Sequence, residues 1–184
     1  MISCHKKFMM NERQQHNMSQ HLHEFEAICN NENNSERLSE ILLQFPFVIC
    51  HRFFNGNLAI HKAIQNNCSI DIINRLIDAW PASLNERNDD DMLPLHVACL
   101  HIRSHDVLRI ILRPFPDNAS VVYNTTQLPL HDALRRTPPL PFEFIELLVQ
   151  HSMDTIHARG RYGRNVLHFT LQKKINLKES FIMW

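Results

Sequence analysis

Leu93-Pro94-Leu95-His96-Val97-Ala98 returns 35 residues later as Leu128-Pro129-Leu130-His131-Asp132-Ala133, and stands 35 residues after Leu58-Ala59-Ile60-His61-Lys62-Ala63. A looser fourth copy, Asn165-Val166-Leu167-His168-Phe169-Thr170, puts the four histidines 35, 35 and 37 residues apart. A fixed period of this length marks an array in which one small unit stacks on copies of itself. Two other features keep the step. Phe45-Pro46, Trp80-Pro81 and Phe115-Pro116 are each 35 apart, and the set Ile72, Ile73, Leu76, Ile77 recurs as Val107, Leu108, Ile111, Leu112 and as Phe144, Ile145, Leu148, Val149. The two extra residues of the last interval fall in Thr137-Pro138-Pro139-Leu140-Pro141, which a loop absorbs.

The physics of one unit follows from these residues. Apolar positions at i, i+1, i+4 and i+5 form a stripe on one helix face, predicting helices over 70–80, 105–115 and 142–152 that dock on their neighbours. Ser69 and Ser104 stand where an N-cap hydroxyl is wanted, with Asp71 and Asp106 close behind at the positive helix end. The proline after each aromatic residue stops the helix. Pro94 and Pro129 suit the first turn of a shorter upstream helix, where a missing amide hydrogen costs nothing. Polar turns precede each histidine at a constant distance: Asn55-Gly56, Asp89-Asp90-Asp91, Asn124-Thr125-Thr126 and Arg161-Tyr162-Gly163. The unit is therefore turn, short helix, longer helix.

With these blocks in view, the chain resembles the ankyrin repeat family, whose signature is Thr-Pro-Leu-His-x-Ala followed by a second helix of the Ile-Ile-x-x-Leu-Ile kind. The resemblance covers about residues 21–184 and implies an all-α solenoid of about four to five helix-turn-helix units. Their expected bounds are about 21–55, 56–90, 91–125, 126–162 and a partial 163–184, behind a polar tail at 1–20. Leu58, Leu93 and Leu128 replace the family's Thr, so the first helix of each unit must find its cap elsewhere. In the first unit Arg37, Leu38, Ile41 and Leu42 take the second-helix positions behind His23-Glu24-Phe25-Glu26-Ala27-Ile28. The fifth unit stops at Phe181-Ile182-Met183-Trp184, inside its second helix, and that end is expected to fray.

Composition excludes several chemistries. The 19 Lys+Arg balance 19 Asp+Glu, which argues against a broad nucleic-acid surface. Three glycines build neither a dinucleotide fingerprint nor a phosphate loop. No run of 18 apolar residues is present and the N-terminus turns polar at Asn11, so neither membrane insertion nor secretion is expected. Five scattered cysteines suggest buried thiols in a reducing compartment.

The thirteen histidines invite a metal reading that geometry opposes. His61, His96, His131 and His168 occupy equivalent places in units about 8–10 Å apart, whereas zinc ligands converge to about 2.0–2.3 Å from one ion. A structural role, satisfying backbone groups of the turns, is expected for them. His16, His21 and His23 lack an acidic or thiol partner at a suitable spacing. His23-Glu24 begins like His-Glu-x-x-His, but Ala27 stands at the fifth position. No cofactor, metal or catalytic group is expected.

What remains is binding. Contact positions in a repeat array lie at the turn tips and on the inner helices, which vary without disturbing the stack. Those positions are Asn57, Met92, Gln127 and Arg164 after the turns, with Tyr162 beside the last, Lys62, Val97, Asp132 and Phe169 after the histidines, and Gln65-Asn66, Leu100-His101, Arg135-Arg136 and Gln172-Lys173 at the inner-helix ends. Charge is uneven: residues 19–134 hold 8 basic against 14 acidic side chains, and residues 135–184 hold 8 against 4. Arg135, Arg136, Arg159, Arg161, Arg164 and Lys173 are therefore expected to form a basic pocket for an acidic segment of a partner, since arginine pairs bidentately with carboxylate. The expected protein is a monomeric, cytoplasmic or nuclear, non-catalytic protein-protein interaction module. The alternative is a recruiting or regulatory fragment of a larger adaptor, channel or kinase-linked protein.

Overall fold

The computed structural model describes residues 12–32, 34–102, 104–124, 126–136, 140–152, 157–159, 163, 165 and 168. The helices are α1 (Glu12–Ala27), α2 (Ser35–Gln44), α3 (Ala59–Gln65), α4 (Ile70–Ala79), α5 (Pro94–His101), α6 (His105–Leu112), α7 (Pro129–Arg135) and α8 (Phe142–Gln150). No strand occurs among the described residues, and the one isolated bridge joins Tyr123 to Gln127. Short helices pack on short helices, α3 on α5 and α5 on α7. Long helices pack likewise, α2 on α4, α4 on α6 and α6 on α8, giving two layers.

The expected apolar stripes form the seam. Ile72, Ile73, Leu76 and Ile77 are buried on α4, as are Val107, Leu108, Ile111 and Leu112 on α6. On α8 Phe144 and Leu148 are buried, while Ile145 and Val149 are half-buried against the core. Removing each such side chain from water is worth about 1.5–3 kcal/mol. Cys29, Cys68 and Cys99 are buried thiols.

One local expectation needs correction. Ser69 and Ser104 occupy the N-cap position, yet their hydroxyls make no capping bond. Their backbone carbonyls accept from Ile73 N and Leu108 N instead, so the cap is geometric. Helix α1 begins at Glu12, inside the stretch expected to be a polar tail. Residues 12–15, Glu-Arg-Gln-Gln, are good helix formers and extend the turn anchored by buried Phe25 and Ile28.

Phe45 and Trp80 end α2 and α4 as expected, whereas α6 ends earlier, at Leu112, with Arg113 as its cap ahead of Pro114 and Phe115. Phe45, Trp80 and Phe115 share one backbone conformation, with φ −133, −151 and −141 and ψ 67, 81 and 72. A following proline pushes its predecessor out of the α region. Proline then opens a 3-10 turn at Pro46–Cys50, Pro81–Asn85 and Pro116–Ser120, which carries the chain to the next unit.

Candidate functional site

The histidines join each unit to itself and to the next. The Nδ1 atoms of His61, His96 and His131 accept the Leu58, Leu93 and Leu128 amides, each at 3.2 Å. An imidazole at the third helical position thus satisfies the backbone of a leucine that has no capping side chain. Because Nδ1 accepts, the ring proton sits on Nε2. From there His61 donates to the Met92 carbonyl at 3.2 Å, and His96 to the Val121 carbonyl at 3.0 Å. The His131 ring meets the Ala158 backbone.

Burial pushes His61 and His96 down to about 4, against smaller upward pulls from the Met92 and Val121 carbonyls. Burial lowers His131 as well. All three are therefore neutral at physiological pH. His168 repeats the local half on the surface, its Nδ1 accepting the Asn165 amide at 3.3 Å.

The turns are stacked by a second device. Each has an equivalent closing backbone bond, Phe53 N to Asn57 O, Asn88 N to Met92 O and Tyr123 N to Gln127 O, at 2.8, 3.0 and 2.9 Å. An arginine then spans successive turns. Arg52 donates to the Gly56 carbonyl of its own turn at 3.0 Å and to the Arg87 carbonyl of the next at 2.8 Å. Arg87 repeats this with the Asp91 and Val122 carbonyls at 2.7 and 3.1 Å. The 35-residue spacing of Arg52 and Arg87 was the available sequence signal for this ladder.

The positions expected to contact a partner have separate fates. Met92 is half-buried, and its carbonyl is taken by His61. Gln127 is 4% exposed, and Val97 and Asp132 are buried. Arg135 is exposed at the end of α7 and pairs with Asp132 at 3.3 Å. Arg136 is half-buried and donates to the Ile102 carbonyl. Arg159 is exposed. Arg161, Tyr162, Arg164, Phe169 and Lys173 lie outside the described residues. Pro94 and Pro129 occupy the first position of α5 and α7.

The most unusual group is Asp132. It is fully buried, accepts the Tyr123 hydroxyl at 3.1 Å and the Arg135 guanidinium at 3.3 Å on Oδ1, and leaves Oδ2 without a hydrogen-bond partner. Burial pushes its carboxyl up to about 6, against the downward pull of Tyr123 and Arg135. Burial likewise raises the Tyr123 hydroxyl, which stays a donor. Among the described residues no group of three or more His, Cys, Asp or Glu side chains is placed to hold a metal ion, and no helix is long and apolar enough to cross a membrane.

Two layers of repeated helix pairs, clasped by a histidine from unit to unit, define an α-helical repeat protein. No family model matches the chain. A fowlpox virus (strain NVSL) protein described as "Putative ankyrin repeat protein" is 33% identical to it over 122 residues, covering 64% of this chain and 34% of that protein. The chain thus matches about a third of the relative's length. Its helical repeats and this relative both support the resemblance to ankyrin repeat proteins.

Proposed function

We propose that the chain is a non-catalytic protein-protein interaction module that takes an acidic segment of a partner protein on the concave face formed by the turn tips and the short helices. The supporting observation is how the polar side chains are spent. His61, His96, Arg52 and Arg87 hold the stack together, whereas Arg135 and Arg159 stand exposed toward the basic end of the chain. The unit bounds read from the sequence put Arg161 at the end of the fourth unit and Arg164 and Lys173 in the fifth, extending that basic surface across their junction. The module works as a monomer in the cytoplasm or nucleus. The greater length of the fowlpox virus relative favours a second reading, a recruiting segment within a larger protein.

The probe is a fluorescein-labelled octa-aspartate peptide, read by anisotropy in low salt. Changing Arg159 and Arg164 together to Glu is expected to weaken binding about tenfold, two rim charges being worth roughly 1 kcal/mol or less each. Equal affinity of the variant and the native chain would overturn the proposal.

A further inference from the structure

We infer that Asp132 is a proton-sensitive governor of the contact face: ionised, it holds the Arg135 guanidinium, and protonated, it releases that charge to an acidic partner. This rests on the reading of the concave face as the binding surface. The geometry is specific to the third short helix. Asp132 is wholly buried, yet Arg135, three residues on, has 48% of its side chain exposed, so the pair links the interior to the surface. One carboxylate oxygen has both donors and the other has none. A buried anion satisfied on one oxygen only is held at a cost, and a proton on the empty oxygen removes it.

The surroundings leave Asp132 as the group that changes charge. Tyr123 stays protonated and donates to it. Across the packed α5, burial keeps the Cys99 thiol protonated and His96, against the Tyr123 ring, neutral. On α7 itself His131 is lowered by burial. His101, at the end of α5, is lowered by burial and by Arg136, whose guanidinium is bound to the Ile102 carbonyl. On the other packed elements, Glu143 and Glu146 of α8 and Asp117 of the 3-10 turn are exposed.

Two measurements on the full chain test this. The Asp132 side-chain carbon, assigned by comparison with Asp132→Asn, is titrated by NMR, and octa-aspartate binding is compared at pH 7.5 and 5.5, where the peptide stays ionised. The expected result is a carboxyl midpoint near 6. The native chain should also gain at least about threefold more affinity on acidification than Asp132→Asn, the scale of one partly screened charge. Comparison with the variant removes the contribution of surface histidines. Arg135→Gln, which leaves the buried carboxyl in place, should lose the same gain, and it decides the matter if Asp132→Asn does not fold. A midpoint near 4 overturns the inference and leaves the contact-face reading intact. A midpoint near 6 with equal acid gains in all three chains also overturns it. Absence of peptide binding at either pH overturns both.

Discussion

The Nε2 atom of His61 lies 3.2 Å from the carbonyl oxygen of Met92, 31 residues away, while the opposite ring nitrogen holds the Leu58 amide. One neutral imidazole therefore closes its own helix and fastens the next turn. His96 does the same between Leu93 and Val121. His96→Ala removes both bonds inside the stack, leaving an amide and a carbonyl unpaired and a void behind them. A loss of about 2–4 kcal/mol is expected. Urea unfolding of the two chains measures it, and a change within about 0.5 kcal/mol would contradict the clasp.

The same buried rings set the response to acid. His61 and His96 titrate at about 4 when folded and near 6.5 when unfolded, so between these values the unfolded chain binds more protons. Their contribution is fully present above pH 6.5 and is lost as pH falls toward 4, at about 3 kcal/mol per ring. His131 acts in the same direction. Asp132 opposes them, being raised to about 6 from 3.8, so its burial costs less as pH falls. The histidines outnumber it, and stability should drop on acidification from pH 7 to 4.5. Asp132→Asn should steepen that drop, and melts at several pH values read both slopes. A flat profile for the native chain would rule out neutral buried imidazoles.

Gly56 is fixed by its neighbour as well as by its own backbone. Its φ is +63, and a Cβ there would stand 2.9 Å from the Asp89 backbone nitrogen, in the next turn. That close approach comes with the Asp89 amide bonding the Asn55 carbonyl at 3.0 Å. Gly56→Ala should cost roughly 2 kcal/mol or more, from positive φ and the clash together. Gly163 has φ +69 with no atom of the described residues within 4 Å of its Cβ position, and Gly163→Ala should cost about 1 kcal/mol. Thermal melts of both variants check the order, and an equal effect would deny the turn-to-turn contact.

Arg87 tests the turn ladder. Its guanidinium bonds the Asp91 and Val122 carbonyls from a side chain that is 37% exposed, so solvent screens much of the charge. Arg87→Ala should cost about 1 kcal/mol and speed amide exchange in the turn at 121–124 more than in α4. Hydrogen exchange resolved by residue makes the comparison; uniform acceleration would mean the ladder does not join turns.

The period was legible because three independent features keep one step: the histidine, the aromatic-proline pair and the apolar stripe. Each depends on short-range chemistry that every unit repeats. Less legible were groups whose role depends on their burial. Gln127 and Asp132 look like surface residues in the sequence, yet both are buried. The missing threonine cap was visible, but its replacement was not: the histidine takes the leucine amide, and proline at the first position of α5 and α7 leaves one fewer amide to satisfy. The 3-10 turns were half visible, since proline marked their start but no residue after it marked their length.

Binding on the inner surface is the centre of the functional account, and amide chemical shifts of the labelled full chain titrated with octa-aspartate test it most directly. Saturable shifts are expected to cluster at the end of α7, around Arg135 and Arg136, and at Arg159. Shifts confined to the outer helices α4 and α6, or none at saturating peptide in low salt, would contradict it.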